Sequence, residues 1–219
     1  MKIVSHRLYL DDGTPCRFVT SPNIGGVVLP ELLVIHNTEG QTVEGAVATL
    51  TKRTEDPTKR KSAHLVIGRD GSIVQLVLFN RVAWHAGASA WKGRTRVNSF
   101  SVGIELDNAG PLAKAGKAWR AGFKRDYPED DVVVAVHPGD AKHIEKGWHR
   151  YTERQLDVLL EVSRVLVASY PIRDMVGHDE ISPGRKWDPG PAFNMSEFRQ
   201  KLFGAMPVGP AAPAAPGHV

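Results

Sequence analysis

The sequence predicts a single-domain α/β protein in which helices flank a mixed central β-sheet. The apolar runs "LLVIHN" (32–37) and "SVGIELDN" (101–108) indicate buried strands, because each is short and bounded by residues that interrupt strands. The dipeptide Asp70-Gly71 lies between two β-rich runs and indicates a hairpin. Apolar residues recur at helical spacing over 152–170, so strands and helices share one chain.

Composition indicates a soluble globular protein with one domain of ordinary size. Of the 219 residues, 42% are apolar and 24% are charged, which is the balance of a protein with a substantial core. The net charge of +4 suits an anionic ligand or surface. The positive charges are scattered and form no basic stripe with aromatic residues, so we expect no nucleic-acid partner.

The sequence gives no sign of membrane insertion or of disulfide bonding. No apolar run reaches the roughly eighteen residues that a bilayer requires. The start "MKIVSHRLYLDDG" lacks the apolar stretch of a signal peptide, so we expect a cytoplasmic protein without a membrane partner. Cys16 is the single cysteine, which excludes an intramolecular disulfide and a cysteine-rich zinc site and favours a buried structural thiol.

The chain is predicted to divide into an N-terminal extension (1–30), a main domain (31–203) and a tail (204–219). The tail contains "PVGPAAPAAPGHV", which has almost nothing to bury, so we expect disorder there. Residues 110–150 are rich in Lys, Gly, Asp and Pro, and we expect a long insertion or loop. Loops of that length are usually functional or partly disordered.

Helix-capping signals define the ends of three helices. Thr42 is a suitable N-cap for a helix over 42–53. Thr152 and Gln155 have the spacing of a capping box at the start of the long helix. A last short helix is expected after Asn194.

The segment "VGHDEISPGRKWDPGP" (176–191) is predicted to be a loop that gathers reactive side chains, because its prolines and glycines disfavour regular structure. It contains His178 and Asp188, and His36 ends an apolar strand elsewhere in the chain. Two imidazoles and one carboxylate form the ligand set of a catalytic zinc site, which keeps its fourth position for water. Spacing alone leaves open that His36 is a hydrogen-bonded structural histidine.

Five sequence blocks in order resemble the N-acetylmuramoyl-L-alanine amidase family of zinc amidases. The blocks are "LLVIHNTEG", "SAHLVIGRDGSIVQLV", "AWHAGASAWKG", "NSFSVGIEL" and "GHDEISPGRKWDPGPAFN". The family also includes phage lysozymes of the amidase type and peptidoglycan recognition proteins. The resemblance covers roughly residues 30 to 203 and is weakest over 110–150. It implies the α/β fold of that family and makes 31–203 the amidase catalytic domain.

The resemblance implies a role for each of five residues. His36, His178 and Asp188 match the family's zinc ligands, and Glu105 and Lys186 match its catalytic carboxylate and lysine. A carboxylate beside the metal can accept a proton from water and pass it to the leaving amine. A lysine can stabilise the developing oxyanion. The alternatives are a surface carboxylate for Glu105 and a loop lysine paired with Asp188.

The resemblance also implies a set of substrate contacts. Arg96 matches an arginine that binds a carboxylate of the stem peptide, for which a bidentate guanidinium pair is expected. Core packing remains an equal alternative for the aromatic residues of the "WHAG" block. The residues predicted to contact substrate are Asn37, His64, Trp84, His85, Trp91 and Arg96.

The expected function is hydrolysis of the amide between N-acetylmuramic acid, or its 1,6-anhydro form, and L-alanine of the stem peptide. Zn²⁺ is the expected cofactor, and a muropeptide or peptidoglycan is the expected substrate. One alternative is a phage endolysin, released by a holin, that acts on the intact wall. Others are a recognition module that binds without cutting and a regulator of a polymerase. The sequence leaves the oligomeric state open, and a monomer is compatible with it.

Overall fold

Two β-sheets organise residues 1–204, the part of the chain that the computed structural model describes. The strands, numbered in chain order, are β1 Lys2–Val4, β2 Arg7–Tyr9, β3 Arg17–Phe18, β4 Ile24–Val27, β5 Leu32–Asn37, β6 Leu65–Ile67, β7 Ile73–Gln75, β8 Arg81–Ala83, β9 Ala90–Trp91, β10 Arg94–Thr95, β11 Ser101–Leu106, β12 Pro111–Ala115, β13 Ala118–Ala121, β14 Asp126–Tyr127, β15 Val132–Val136, β16 Glu145–His149 and β17 Asp174–Gly177. The helices are α1 Val43–Thr51, α2 Glu153–Ser169, α3 His178–Ile181 and α4 Met195–Phe203. Short 3₁₀ turns lie at Pro57–Lys59, Val97–Phe100 and Glu129–Asp131.

The larger sheet has six strands in the order β17–β5–β11–β6–β7–β3. Its first four strands are parallel, and β7 runs antiparallel to β6. This confirms the predicted mixed sheet. In open sheets of this kind, ligands bind beyond the carboxyl ends of the parallel strands. His36 and Glu105 are paired in register near those ends of β5 and β11.

Side-chain alternation along β5 separates two hydrophobic clusters. Leu33 and Ile35 pack with the buried residues of α2, while Leu32 and Val34 belong to the cluster on the opposite side of the sheet. Because successive side chains of a strand point to opposite faces, His36 lies on the side of Leu32 and Val34, as the sequence predicts.

The predicted helix and hairpin signals are confirmed, with one exception. The side chains of Thr42 and Asn194 accept hydrogen bonds from backbone N–H groups in the first turns of α1 and α4. Gly71 has a φ of 84° at the hairpin between β6 and β7. The exception is the capping box of α2. Thr152 accepts from the Gln155 backbone, but the Gln155 side chain turns inward and donates to backbone carbonyls of the sheet.

Of the expected long insertion or loop over 110–150, the loop is wrong, because most of this segment forms a second sheet, and the insertion stays a prediction. Its five antiparallel strands have the order β14–β13–β12–β16–β15. The sheet forms because apolar side chains collect into a small core of their own, and chain reversals lie at Gly116 and Lys124, both with positive φ. The buried members of that core are Ala109, Leu112, Trp119, Ala121, Tyr127 and Val132.

Two other segments are more ordered than expected. In 176–191, Val176 and Gly177 end β17, and α3 follows before the chain becomes irregular. The backbone N–H of Gly177 donates to the Glu180 carboxylate at 2.7 Å, which stabilises this helical turn. In 1–30, the expected N-terminal extension supplies β3 at the edge of the larger sheet, and Cys16 is buried as expected.

The predicted disorder of 204–219 falls almost entirely on residues 205–219, which lie outside the described residues. Gly204 directly follows α4. No helix within residues 1–204 combines the length and the apolarity that crossing a bilayer requires.

Candidate metal centre and groove

Three side chains meet at the carboxyl edge of the larger sheet. His36 comes from the end of β5, His178 is the first residue of α3, and Asp188 lies in the following loop. Nδ1 of His36 lies 3.0 Å from Nδ1 of His178, and each of these nitrogens lies 3.0 Å from Oδ2 of Asp188. All three residues are buried, with exposed fractions of 2%, 4% and 7%. The structure therefore brings together the predicted ligand set.

This triangle has the dimensions of a tetrahedral metal site. Zinc binds histidine nitrogen and carboxylate oxygen at about 2.0–2.2 Å, which places neighbouring ligand atoms roughly 3.3 Å apart. Three donor atoms at 3.0 Å from one another match one face of such a tetrahedron. All three residues line the same groove. The three residues could therefore hold a metal ion.

The protonation states of His36 and Asp188 also suit metal binding. Burial lowers the pKa of His36 to about 4, and the neighbouring His178 adds to that effect. Burial alone would raise the pKa of Asp188, but hydrogen bonds to His178 and His36 outweigh it and hold that pKa well below its usual range. Metal ligands must be deprotonated, and a neutral His36 and an ionised Asp188 meet this requirement at neutral pH.

The metal triangle opens into a groove of about 840 Å³. One wall comes from α1 and from the 3₁₀ turn that follows it, and the basic residues Lys59, Arg60 and Lys61 lie on this wall. The opposite wall includes Arg185 and Lys186 of the metal-binding loop. A concave site of this size, with a few polar groups converging on one point, is typical of a small-ligand site.

Glu105 and Lys186 both line the groove beside the triangle, as predicted. Burial raises the pKa of Glu105 well above its usual range, the charge of Asp188 raises it further, and Lys186 opposes the shift. A carboxyl group with a raised pKa is protonated more readily than an ordinary glutamate, which suits it to a general acid–base role.

Two residues that the sequence did not single out also shape the site. Glu39 lines the groove, and burial and the charge of Asp188 raise its pKa. Glu39 lies within the block "LLVIHNTEG", three residues after His36, and this position could have marked it as a residue near the site. The Tyr151 hydroxyl donates to the carbonyl oxygen of Pro189 at 2.8 Å and so fixes the chain next to Asp188. No sequence motif marked Tyr151.

Three of the six predicted substrate contacts line the groove, namely Asn37, Trp84 and His85. The Asn37 amide group donates to the carbonyl oxygen of Pro189 at 3.3 Å. Within residues 1–204, its buried Oδ1 accepts no hydrogen bond. Asn37 therefore presents an unused acceptor beside the metal triangle, and contact of these three residues with substrate stays a prediction.

The other three predicted contacts lie outside the groove lining. His64 is fully buried, and both its ring nitrogens bond to backbone, to the Arg81 carbonyl at 2.9 Å and the Gly103 N–H at 3.0 Å. Trp91 packs against the hydrophobic cluster beside β5. Arg96 is exposed, and its backbone φ is 60°. His64 has no exposed surface, and Trp91 and Arg96 are not among the residues that line the groove. Substrate contact by these three residues stays a prediction.

Comparisons with known proteins agree with this fold and identify the family. Residues 27–191 match the family model described as N-acetylmuramoyl-L-alanine amidase. The 1,6-anhydro-N-acetylmuramyl-L-alanine amidase AmpD of Salmonella typhimurium is 38% identical over 185 residues, covering 78% of this chain and 79% of the relative. A crystal structure of a selenomethionine derivative of AmpD superimposes with a TM-score of 0.63 at 32% identity, covering 92% of this chain and 99% of the other.

A second relative is the N-acetylmuramoyl-L-alanine amidase AmiD of Escherichia coli. It is 32% identical over 186 residues, which cover 81% of this chain and 55% of AmiD. Its complex with anhydro-N-acetylmuramic acid-L-Ala-D-γ-Glu-L-Lys superimposes with a TM-score of 0.60 at 28% identity, covering 91% of this chain and 67% of AmiD. The α/β fold and the His-His-Asp site define an amidase of this type. The chain belongs to the N-acetylmuramoyl-L-alanine amidase family.

Proposed function

We propose that this protein is a zinc-dependent amidase that hydrolyses the bond between N-acetylmuramic acid, in its 1,6-anhydro form, and L-alanine of the stem peptide. The observation that carries the proposal is the 3.0 Å triangle of His36, His178 and Asp188, which opens into a groove lined by Glu105 and Lys186. The names of AmpD and AmiD, and the muropeptide in the AmiD complex, support this choice of substrate.

Nδ1 of His36, Nδ1 of His178 and Oδ2 of Asp188 would hold the zinc ion. A zinc ion bound there supplies Lewis-acid polarisation of the carbonyl and activation of water at neutral pH. The remaining chemistry falls to side chains of the groove.

Glu105 is the proposed general base and acid. Its raised pKa lets the carboxylate accept a proton from the attacking water and donate it to the leaving amine of L-alanine. Lys186 is the proposed partner of the oxyanion that forms on the muramyl carbonyl, because a positive charge placed beside the reacting carbonyl stabilises negative charge as it develops.

The basic wall of the groove is the proposed binding site for the stem peptide. Lys59, Arg60 and Lys61 lie along this wall, and Lys59 also pairs with Asp56 at 3.4 Å. Stem peptides carry free carboxylates, which guanidinium and ammonium groups bind through charge-assisted hydrogen bonds. The family resemblance implies a similar contact for Arg96, which stays a prediction. Asn37 is proposed to accept a peptide N–H at its unused oxygen.

The test of this proposal compares two substrates, each with and without a chelator. One is soluble 1,6-anhydromuramyl tripeptide, and the other is intact peptidoglycan sacculi. We expect peptide release from the soluble substrate, loss of release with chelator, and recovery when zinc is added. Release from sacculi alone would contradict the proposal and indicate a wall-lytic enzyme. Binding of zinc and muropeptide without any cleavage would indicate a recognition module.

Two variants assign the activity to the site. Asp188→Ala removes a proposed ligand, so we expect it to lose zinc and at least about 100-fold in rate. Asp157→Ala removes an exposed carboxylate from α2 and serves as the matched control, with activity near wild type. Equal activity in the two variants would show that Asp188 is not part of the active site.

A further inference from the structure

A chain of hydrogen bonds leads from the metal triangle to the backbone of the 3₁₀ turn Val97–Phe100, which precedes β11. Nε2 of His36 lies 3.0 Å from Nδ1 of His85, and Nε2 of His85 lies 3.2 Å from the Ser101 hydroxyl. The Ser101 hydroxyl donates to the carbonyl oxygen of Val97 at 2.7 Å. His36 is thus connected to backbone through two side chains.

The last bond in this chain determines the direction of all the others. A carbonyl oxygen only accepts, so the Ser101 proton points to Val97 and the Ser101 oxygen accepts a proton from Nε2 of His85. A neutral His85 then has its lone pair on Nδ1 and accepts the proton on Nε2 of His36. This leaves the lone pair of His36 on Nδ1, the atom that faces His178 and Asp188.

The second metal-binding histidine is oriented from the same segment. Nε2 of His178 lies 3.1 Å from the carbonyl oxygen of Ala86, the residue after His85. Because that carbonyl only accepts, Nε2 of His178 carries the proton and its Nδ1 carries the lone pair. Consecutive residues, His85 and Ala86, therefore select the tautomers of both histidines.

Asn98 fixes the position of this dipeptide. Its Oδ1 accepts the backbone N–H of His85 at 3.1 Å and that of Ala86 at 2.8 Å, and the side chain is buried. On the other side, a Cβ at Gly103 would lie 2.4 Å from Cγ of His85. The absence of a side chain at Gly103 lets the His85 ring lie directly on β11. The imidazole is thereby held between the sheet and the metal site.

We propose that His85, Ala86, Asn98 and Ser101 form a positioning bracket that fixes both zinc-binding histidines in the Nδ1-ligating tautomer. His85 is then a positioning residue rather than a contact for substrate. Hydrogen-bond partners behind metal-binding histidines orient the rings and raise their affinity for the metal. The inference rests on the proposed function only in taking zinc as the bound ion, and it is tested without measuring turnover.

The test is zinc affinity, measured by competition with a chromophoric chelator on purified full-length protein. His85→Phe keeps a ring but removes the acceptor for His36, so we expect zinc affinity to fall about 10–100-fold. His85→Asn places an amide oxygen near the position of Nδ1, so the zinc affinity of this variant should fall by less than about tenfold. Since His85→Phe could disturb the fold through the contact at Gly103, Ser101→Ala gives a milder variant with an intermediate loss.

Asn98 supplies the second arm of the test. Asn98→Ala releases both backbone N–H groups, so affinity should fall and the visible spectrum of the cobalt-substituted protein should change. Asn98→Asp keeps an acceptor oxygen, so its zinc affinity and its cobalt spectrum should both be close to those of the wild type. His64→Asn is the control, because His64 is a fully buried histidine whose ring nitrogens bond to backbone of Arg81 and Gly103 and to none of the four bracket residues. It should change stability without changing zinc affinity.

The two proposals fail in different ways. If wild type binds zinc and His85→Phe, Ser101→Ala and Asn98→Ala bind it equally well with unchanged cobalt spectra, the bracket has no positioning role and the inference is overturned. If wild type binds no zinc, the metal centre itself is overturned together with the bracket. A loss of affinity in His64→Asn as large as in His85→Phe would reduce the effect to general destabilisation and also overturn the inference.

Discussion

Burial favours the neutral form of two histidines, His64 and His149. It lowers the pKa of His64 to about 4, although the hydrogen bond to the Arg81 carbonyl opposes the shift. Burial lowers the pKa of His149 to about 3, and the charges of Arg69 and Arg125 add to the effect. Each of these imidazoles accepts a backbone N–H, from Gly103 and from Ala109, which protonation would break.

The low pKa of His64 predicts that the metal-free protein loses stability in mild acid. An unfolded histidine titrates near pH 6.5, so between pH 6.5 and about 4 the unfolded chain binds a proton that folded His64 does not. The contribution of neutral His64 is therefore complete above pH 6.5 and is lost as the pH falls. We expect this residue alone to lower the free energy of unfolding by about 2 kcal/mol between pH 7 and pH 5.

Urea unfolding of metal-free wild type and His64→Asn at the two pH values measures this effect. The variant should be less stable at pH 7. Its free energy of unfolding should fall less than that of the wild type between pH 7 and pH 5, by the contribution of His64. An identical pH dependence in the two proteins would mean that His64 does not titrate between the folded and unfolded states as described.

At the scale of elements, α2 is joined to the larger sheet by one polar side chain. The Gln155 amide is fully buried and donates to the carbonyl oxygens of Ile67 and Asp107, at 2.9 and 3.1 Å. These carbonyls lie at the ends of β6 and β11, where the ladder of hydrogen bonds stops. The Ile67 carbonyl oxygen also accepts the backbone N–H of Asp107 at 2.9 Å, so Gln155 supplies its second hydrogen bond and links α2 to two strand ends.

We expect Gln155→Ala to cost more stability than loss of the helix cap. It leaves two buried carbonyls without this donor, for which about 2–4 kcal/mol is the expected loss in the free energy of unfolding. Thr152→Ala removes the N-cap of the same helix and should cost about 1 kcal/mol. Chemical denaturation of both variants makes the comparison. If Gln155→Ala cost no more than Thr152→Ala, the side chain would be acting only as part of the cap.

The second sheet is joined to the metal-binding loop by several contacts. Nε2 of His137 lies 3.0 Å from Oδ2 of Asp179, the residue after His178. Trp148 is almost fully buried, and a Cβ at Gly190 would lie 2.6 Å from its ring. The sheet of β12–β16 therefore packs directly against the chain that carries two of the three metal-binding residues.

For the whole molecule, sequence reasoning succeeded where local pattern decides the structure. Three kinds of feature depend only on residues close together in the chain. They are the face of β5 on which His36 lies, the helix caps at Thr42 and Asn194, and the hairpin at Asp70-Gly71. The meeting of His36 with His178 depends on pairing between β5 and β17, which only the family resemblance implied.

The remainder depends on tertiary contacts that spacing does not encode. Gln155 fits a capping box in sequence, yet the buried carbonyls of the sheet attract its side chain. His64 occurs in a block that resembles the family, yet backbone groups occupy both its nitrogens. Over 110–150, short strands separated by charged turns gave too weak an alternation to distinguish a small sheet from a loop.

The central claim is that one zinc ion, held by His36, His178 and Asp188, makes this protein an amidase. The most direct test is to titrate metal-free protein with zinc while following release of peptide from 1,6-anhydromuramyl tripeptide. We predict that the rate rises from near zero and becomes constant at one zinc per chain. Glu105→Gln should bind the same single equivalent but release peptide at least about 100-fold more slowly. Full activity without metal, or no peptide release from the zinc-loaded wild type, would contradict the claim.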